Sequence, residues 1–380
     1  MRSYRYLIVG GGMTADAACR GIRDHDPDGS IGLVSAESHP PYDRPPLSKA
    51  LWQGKDESSI WRGTDELGVE LTLGRRITAL DLDARRATDD QGDEYAYDRL
   101  LLATGGSPRH LPGDGADDVV YFRTYEDYKR LRGDVRDGAR FLVVGGGFIG
   151  SELAAALQTN GADVTMVFPD DGVGARLFPA ELARFVTDYY RERGVDVRTG
   201  ELASDELMTG RDGVVAGLGI VPNTDLAEAA GLLVDDGIVV DELGRAGGRD
   251  DVFAAGDVAR FPIPMLGTTT RVEHEDHART HGKTVGANMA GADTPYDHLP
   301  FFYSDLFDLG YEAVGEVDSR LATVEEWKEP GREGVVAYVD DAGRPRGFLL
   351  WNVWGKVDAA RKLIRAAEPI DDAAVKELAG

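Results

Sequence analysis

One stretch constrains this chain more than any other: Val143-Val144-Gly145-Gly146-Gly147-Phe148-Ile149-Gly150-Ser151-Glu152. The apolar run from Phe141 to Val144 predicts a buried parallel strand, and Glu152 to Leu157 starts an alanine-rich helix. Gly145, Gly147 and Gly150 fit the G-x-G-x-x-G spacing of dinucleotide sites. The first glycine permits the turn, the second lets a pyrophosphate approach the backbone, and the third lets helix and strand pack closely. The free N–H groups of a helix N-terminus then face the phosphates. Alone, the pattern is weak, because glycine turns are common. A second copy gives it weight. Tyr6-Leu7-Ile8-Val9 is another apolar strand, followed by Gly10-Gly11-Gly12-Met13-Thr14-Ala15. Ala15 takes the third glycine's place, which the pattern allows. Two such turns predict two dinucleotides, a flavin and a nicotinamide.

At 380 residues the chain has room for two or three domains. A formal net charge of −25 argues against nucleic acid as a partner. The charge reads first as a solvation device, with exclusion or orientation of charged partners as the functional counterpart. No apolar run is long enough to span a bilayer, and the N-terminal residues enter a strand without a cleavable signal pattern. A cytoplasmic protein is expected, with no membrane partner. Cys19 is the one cysteine, so neither an intramolecular disulfide nor a C-x-x-C pair exists. It is expected as a small core residue of the first helix.

Along the chain, a helix is expected from Thr14 to Asp24 and a strand from Ser30 to Val34. Glu37 then stands at the spacing where an acid accepts hydrogen bonds from an adenosine ribose. Pro40-Pro41-Tyr42-Asp43-Arg44-Pro45-Pro46-Leu47-Ser48-Lys49 predicts a stiff loop leading into a helix, able to hold Arg44 and Lys49 against an anion. Short antiparallel strands are expected at Val69 to Leu73, Ile77 to Leu82 and Glu94 to Tyr97. A buried strand through Arg99 to Ala103 ends at Thr104-Gly105-Gly106, and Pro108 to Asp118 reads as an interdomain crossing. Asp163 to Phe168 is the second unit's companion strand, and a helix is expected from Glu273 to Met289.

In this order, Arg44-Pro45-Pro46-Leu47-Ser48-Lys49, Leu102-Ala103-Thr104-Gly105-Gly106, the second glycine turn and Ala255-Gly256-Asp257 are highly specific. The chain resembles the two-dinucleotide FAD reductases, in the branch of ferredoxin reductases and apoptosis-inducing factor. Val272-Glu273-His274, Phe302-Tyr303-Ser304-Asp305, Gly310 to Gly315 and Leu350-Trp351-Asn352-Val353 look more like the apoptosis-inducing-factor side. The resemblance implies an α/β fold: two Rossmann-like three-layer domains plus a C-terminal α+β domain. The expected division is an FAD domain at 1–113 and 226–298, an NAD(H) domain at 114–225, and the C-terminal domain at 299–380.

It also implies roles. Gly10, Gly12, Met13, Thr14 and Ala15 would sit at the FAD pyrophosphate and Glu37 at its ribose. Arg44, Thr104, Gly105, Arg123 and Asp257 match positions that contact FAD, and His274 and Tyr303 line the flavin. Lys49 and Glu152 match a pair that meets beside the flavin's reactive nitrogen, and are the catalytic candidates. Gly147, Phe148, Ile149, Gly150, Asp170, Arg176, Gly219, Glu273, Glu312 and Asn352 match contacts to the nicotinamide coenzyme. Asp170 favours NADH over NADPH, because an acid there binds a 2′-hydroxyl and repels a 2′-phosphate. The implied enzyme takes hydride from NADH to non-covalent FAD and passes electrons to a ferredoxin, a rubredoxin or a small acceptor; a homodimer is compatible. The other class of reading is a redox sensor whose NADH-reduced charge-transfer state controls assembly with partners.

Three departures from the resemblance stand out. Val197 to Arg211 is too short for the usual antiparallel excursion, Tyr303 replaces a tryptophan, and the tail lacks a long insertion near Glu329 to Gly334. His274, His277 and His281 share one helix. A metal site there is set aside for want of a fourth ligand, and His277 and His281 are expected to be solvated or capping. Lys356, Arg361, Lys362 and Arg365 form a basic run that would complement an acidic ferredoxin or simply form a solvated helix face.

Overall fold

Parallel strands need crossover connections, and each glycine turn opens one. In the computed structural model, which describes residues 1–112 and 118–380, the chain divides into two units. The first comprises Met1–Asp43, Ser58–Ser107 and Val221–Pro300; the second comprises Arg44–Glu57, Pro108–Ile220 and Phe301–Gly380. The expected boundary at 113/114 lies outside the described residues. Within the second unit, 108–220 and the expected C-terminal domain each build a sheet of their own.

In the first unit the Arg2–Val9 strand lies parallel between Ile31–Ser35 and Glu94–Leu102, with Tyr6 opposite Ile31 and Val9 opposite Leu102. Val252–Ala254 adds a parallel strand on the other side of Glu94–Leu102, while Arg86–Asp89 and Ile77–Asp81 continue the sheet antiparallel. Two expectations are corrected. Val69–Leu73 is not antiparallel; it extends the parallel sheet beside Ile31–Ser35, whose residues are all buried. The strands expected on either side of Asp98 are one nine-residue strand, Glu94–Leu102.

The Met13–His25 helix packs on the Glu275–Met289 helix through small residues. A Cβ on Gly286 would lie 2.1 Å from the Ala18 carbonyl oxygen, and one on Gly282 would lie 2.5 Å from that of Thr14. Ile8, Ala15, Cys19, Leu33, Leu101, Phe253 and Val285 share one core. Cys19 is fully buried, and burial pushes its thiol pKa up, away from reactivity.

The second unit holds a five-stranded, all-parallel sheet in the order Asp196–Thr199, Asp163–Phe168, Arg140–Val144, Gly213–Ala216, Val119–Tyr121. Between Asp196–Thr199 and Gly213–Ala216 there is one short helix, Asp205–Met208, capped by Ser204. The tail forms a five-stranded antiparallel sheet, Phe301–Leu306, Leu309–Gly315, Pro345–Trp351, Glu333–Val339, Ala322–Glu329. Helices Val357–Ala366 and Asp372–Ala379 follow it. No α-helix follows the proline loop. Pro45 and Pro46 open a 3-10 turn, Pro45–Leu47, in which the Leu47 N–H bonds to the Arg44 carbonyl. Among the described residues no helix is long and apolar enough to cross a membrane.

Candidate functional sites

The first glycine turn is built by exclusion. Gly10 has φ +124°, and a Cβ there would lie 2.1 Å from the Ala103 carbonyl oxygen. Gly11 is closed off by Ser35 in the same way. Gly12 differs: it caps the Met13–His25 helix, and a Cβ would meet nothing within 4 Å. That open space, with free helix N–H groups before it, fits a pyrophosphate. Met13, Thr14 and Ala15 form the buried first turn. Gly256, at φ +74°, brings the Gly256–Val258 turn against this helix end, since a Cβ would lie 2.1 Å from Thr14 Oγ1. Asp257 is thereby held in the same unit, and its carbonyl accepts from Arg271.

Glu37 follows the Ile31–Ser35 strand and accepts a 2.6 Å hydrogen bond from Tyr42. Thr104 and Gly105 are locked to Asn223: Thr104 Oγ1 donates to its carbonyl at 2.8 Å, and the Asn223 amide donates back to the Thr104 carbonyl at 2.9 Å. His274 caps the Glu275–Met289 helix, and desolvation lowers its pKa against the pull of Asp257 and Asp276. Glu273 precedes it, exposed and paired with Arg271 at 2.6 Å.

His277 and His281 correct an expectation. They are 0% and 1% exposed, neither solvated nor capping. His277 stacks on Phe261 at 4.4 Å, and Tyr296 packs against both rings. Nδ1 of His281 accepts from the Gly256 N–H at 3.3 Å, and Nδ1 of His277 meets the Tyr296 hydroxyl at 3.1 Å. Burial drives the His281 pKa down to about 3. Among the described residues no group of histidine, cysteine and acidic side chains gathers in a metal-holding arrangement.

In the second unit the turn repeats with a difference. Gly145 has φ +118° and faces the Gly217 carbonyl; Gly147 caps the Phe148–Thr159 helix with nothing within 4 Å of a Cβ. Phe148, Ile149 and Gly150 are its first turn, and a Cβ on Gly150 would lie 1.9 Å from the Gly145 carbonyl oxygen. One turn on, Glu152 points into a buried cluster. Its Oε1 accepts from Lys49 Nζ at 2.6 Å and from Ser304 Oγ at 2.6 Å, and its Oε2 accepts from Ser48 Oγ at 2.5 Å. The Lys49 and Glu152 side chains are 12% and 3% exposed. A carboxylate this buried needs every donor it has, because charge-assisted bonds must offset several kcal/mol of desolvation. Lys49 also lies 5.1 Å over the Tyr303 ring. Burial raises the pKa of Asp305, which Lys49 partly counters.

Ser48, Ser304 and Asp305 carry no role in the sequence reading. Their neighbours Lys49 and Tyr303 were the nearest signal. Arg44 donates to the Arg123 backbone carbonyl at 2.8 Å.

Around the second turn, Asp170 pairs with Arg176 at 3.4 Å, both partly or largely exposed. Gly219, at φ +80°, accepts from the Arg109 N–H at 2.9 Å. Glu312 accepts from the Gly355 N–H at 3.0 Å. Asn352 spends both ends of its amide on the tail, accepting from the Gly310 N–H and donating to the Arg332 carbonyl, each at 2.7 Å.

Two glycine cradles, one with a buried lysine–carboxylate pair on its helix, define an α/β oxidoreductase with two dinucleotide sites. The chain belongs to the pyridine nucleotide-disulphide oxidoreductase family, whose model matches residues 4–282, and residues 285–332 match the C-terminal segment of mitochondrion-associated apoptosis-inducing factor. It is 34% identical over 428 residues to apoptosis-inducing factor 1 of Dictyostelium discoideum, covering 98% of this chain and 80% of that one. It is 34% identical over 385 residues to the ferredoxin–NAD(+) reductase component of the anthranilate 1,2-dioxygenase system of Burkholderia cepacia, covering 95% and 94%. The reductase in a covalent putidaredoxin reductase–putidaredoxin complex superposes with a TM-score of 0.90 at 29% identity, covering 100% and 96%. The chain is thus an FAD-dependent enzyme working with a nicotinamide coenzyme. Cys19, the one cysteine of the sequence, is fully buried, so no dithiol pair forms within it.

Proposed function

We propose that this enzyme takes reducing equivalents from NADH and delivers them to an acidic ferredoxin- or rubredoxin-type protein. The observation that carries the reading is the three-donor cluster on Glu152 beside the second glycine turn. FAD, when bound, supplies the chemistry: it accepts hydride and releases electrons to the acceptor. The chain's residues bind, orient and balance charge. Gly10, Gly12 and the first turn of the Met13–His25 helix hold the FAD pyrophosphate, with Glu37 on a ribose and Arg44, Arg123, Thr104, Gly105 and Asp257 along the cofactor. Gly147 to Gly150 do the same for NADH. An unpaired carboxylate near the flavin would oppose electron storage, and Lys49 cancels that field while Ser48 and Ser304 fix the Glu152 rotamer. Asp170 accepts from a ribose 2′-hydroxyl and repels a 2′-phosphate, which selects NADH.

The acceptor reading is supported by the basic helix Val357–Ala366. Lys362 and Arg365 are exposed on it, Arg361 is paired with Asp358, and Trp354 stands 52% exposed just before it. The relatives named for ferredoxin and putidaredoxin point the same way. The test is anaerobic NADH titration of the flavin spectrum, then turnover with an acidic ferredoxin across ionic strength. Bleaching by one NADH per flavin and a KM that rises with salt, and rises several-fold in Lys362→Glu/Arg365→Glu, is the expected result. Bleaching without any acceptor-protein turnover removes the ferredoxin-type partner from the reading.

A further inference from the structure

A cleft of about 670 Å³ opens in the second unit, within the size range of small-molecule sites. One wall is Pro169 to Asp171 with Ala175 and Arg176; the other is Asp318, Ser319 and Arg320. The first wall lies just past the C-terminal end of the Asp163–Phe168 strand, where nucleotides bind in open parallel sheets. The second wall comes from elsewhere in the chain, the loop between the Leu309–Gly315 and Ala322–Glu329 strands of the tail sheet. We propose that this loop completes the adenosine subsite of the coenzyme, with Arg320 as a flat plate on which the adenine stacks. The inference rests on the NADH reading above and deepens it.

Two observations carry it. The loops are tied together: the Ser319 N–H donates to the Arg176 carbonyl at 3.0 Å. Arg320 is also held, although its side chain is 88% exposed. Its Nε meets Asp318 Oδ1 and Oδ2 at 2.9 and 3.0 Å, its Nη2 meets Oδ2 at 2.5 Å, and its own N–H donates to Oδ1 at 2.9 Å. The guanidinium correspondingly holds the Asp318 carboxyl below the usual carboxylate range. Fixing an exposed arginine costs rotamer entropy and gains little in water. The arrangement makes sense if the fixed plane has a use, and a guanidinium face stacks on a π system. Charge agrees. Three carboxylates, Asp170, Asp171 and Asp318, face two guanidiniums, Arg176 and Arg320, across the cleft lining. A neutral adenine and ribose fit that balance, and a 2′-phosphate would add to the excess negative charge.

The experiment compares NADH with reduced nicotinamide mononucleotide, which lacks the adenosine half, on the FAD-loaded enzyme. The measured quantity is the ratio of kcat/KM for the two donors. Arg320→Ala is expected to lower that ratio about tenfold, which is about 1.4 kcal/mol. Arg320→Lys, which keeps the charge and loses the plane, is expected to fall nearly as far. Asp318→Asn, which frees the plate, is expected to fall less, with the loss in KM and not in kcat. An active wild type whose ratio is unmoved by Arg320→Ala, or fully rescued by Arg320→Lys, overturns this inference alone. A wild type inert toward both donors overturns the NADH reading and this inference with it.

Discussion

The two glycine turns share a plan and differ in what surrounds them. The first is locked. Its helix is pinned along its length by the Glu275–Met289 helix, where Gly282 and Gly286 nearly touch its backbone, and its entrance is met by the Gly256 turn against the Thr14 side chain. The second is open on one side. Its helix carries the charged Glu152 cluster, and a wide cleft with an 80% exposed Arg176 lies past the neighbouring strand. A cofactor that never leaves needs the first kind of surround; a coenzyme that exchanges every turnover needs the second. On the proposed assignment, with FAD at the first turn and NADH at the second, one local sequence pattern would serve two residence times, set by the packing around it.

The largest test of that contrast is to unlock the first turn. Gly286→Val would drive side-chain atoms into the Ala18 backbone, which cannot move without parting the two helices. Overpacking against backbone costs on the order of 3 kcal/mol or more. The expected outcome is a protein purified without yellow colour and with a lowered urea midpoint. A variant that keeps both FAD and stability breaks the comparison. Next in size is Lys49→Ala, which strips the ammonium from Glu152. Flavin reduction by NADH should slow by on the order of a hundredfold, as for loss of one preorganised donor, with FAD content unchanged. Stopped-flow absorbance at saturating NADH reads this directly, and equal losses of rate and FAD would place Lys49 in cofactor retention instead.

Acid should act on the locked unit before the open one. His281 titrates near pH 3 when folded but near 6.5 when unfolded, and His277 is likewise held well below its ordinary value. Both are neutral in the fold, so the unfolded chain binds more protons below pH 6.5. Their contribution is complete above that pH and is lost as pH falls toward the folded values. Between pH 7 and pH 5 His281 should remove about 2 kcal/mol of stability, and His277 acts in the same direction. His281→Phe should flatten the pH dependence of FAD release, followed by flavin fluorescence; a slope equal to wild type would mean the histidine is not the titrating group.

Much of this was legible beforehand because it is local. Gly10 and Gly145 are marked by their own positive φ and Gly150 by the carbonyl of Gly145 five residues before it, and the apolar strands beside them are continuous runs. What escaped the sequence depends on partners far along the chain. Val69–Leu73 looks like a hairpin strand until Ile31–Ser35 is beside it. His277 and His281 lie on a polar-looking helix and are buried only because Phe261 and Tyr296 fold over them. Ser48 and Ser304 are ordinary serines until Glu152, more than a hundred residues from either, accepts from both.

The smallest effect concerns the open turn alone. Asp170 is the acid at the end of the Asp163–Phe168 strand, and its partner Arg176 is mostly in solvent. A pair so exposed contributes under about 1 kcal/mol to stability, so its removal should leave the fold intact and register in coenzyme choice. In Asp170→Asn the hydroxyl contact weakens and the repulsion of a 2′-phosphate falls, while Arg176 becomes available to that phosphate. The kcat/KM ratio of NADH to NADPH should drop severalfold, mostly through better use of NADPH. Asp171 and Asp318 remain in the same cleft, so the preference should narrow without inverting. Inversion would mean that Asp170 alone sets the choice, and no change would mean that the ribose lies elsewhere. Either result would redraw the proposed coenzyme site while leaving the proposed FAD site as it stands, because Asp170 and Arg176 lie past the second turn alone.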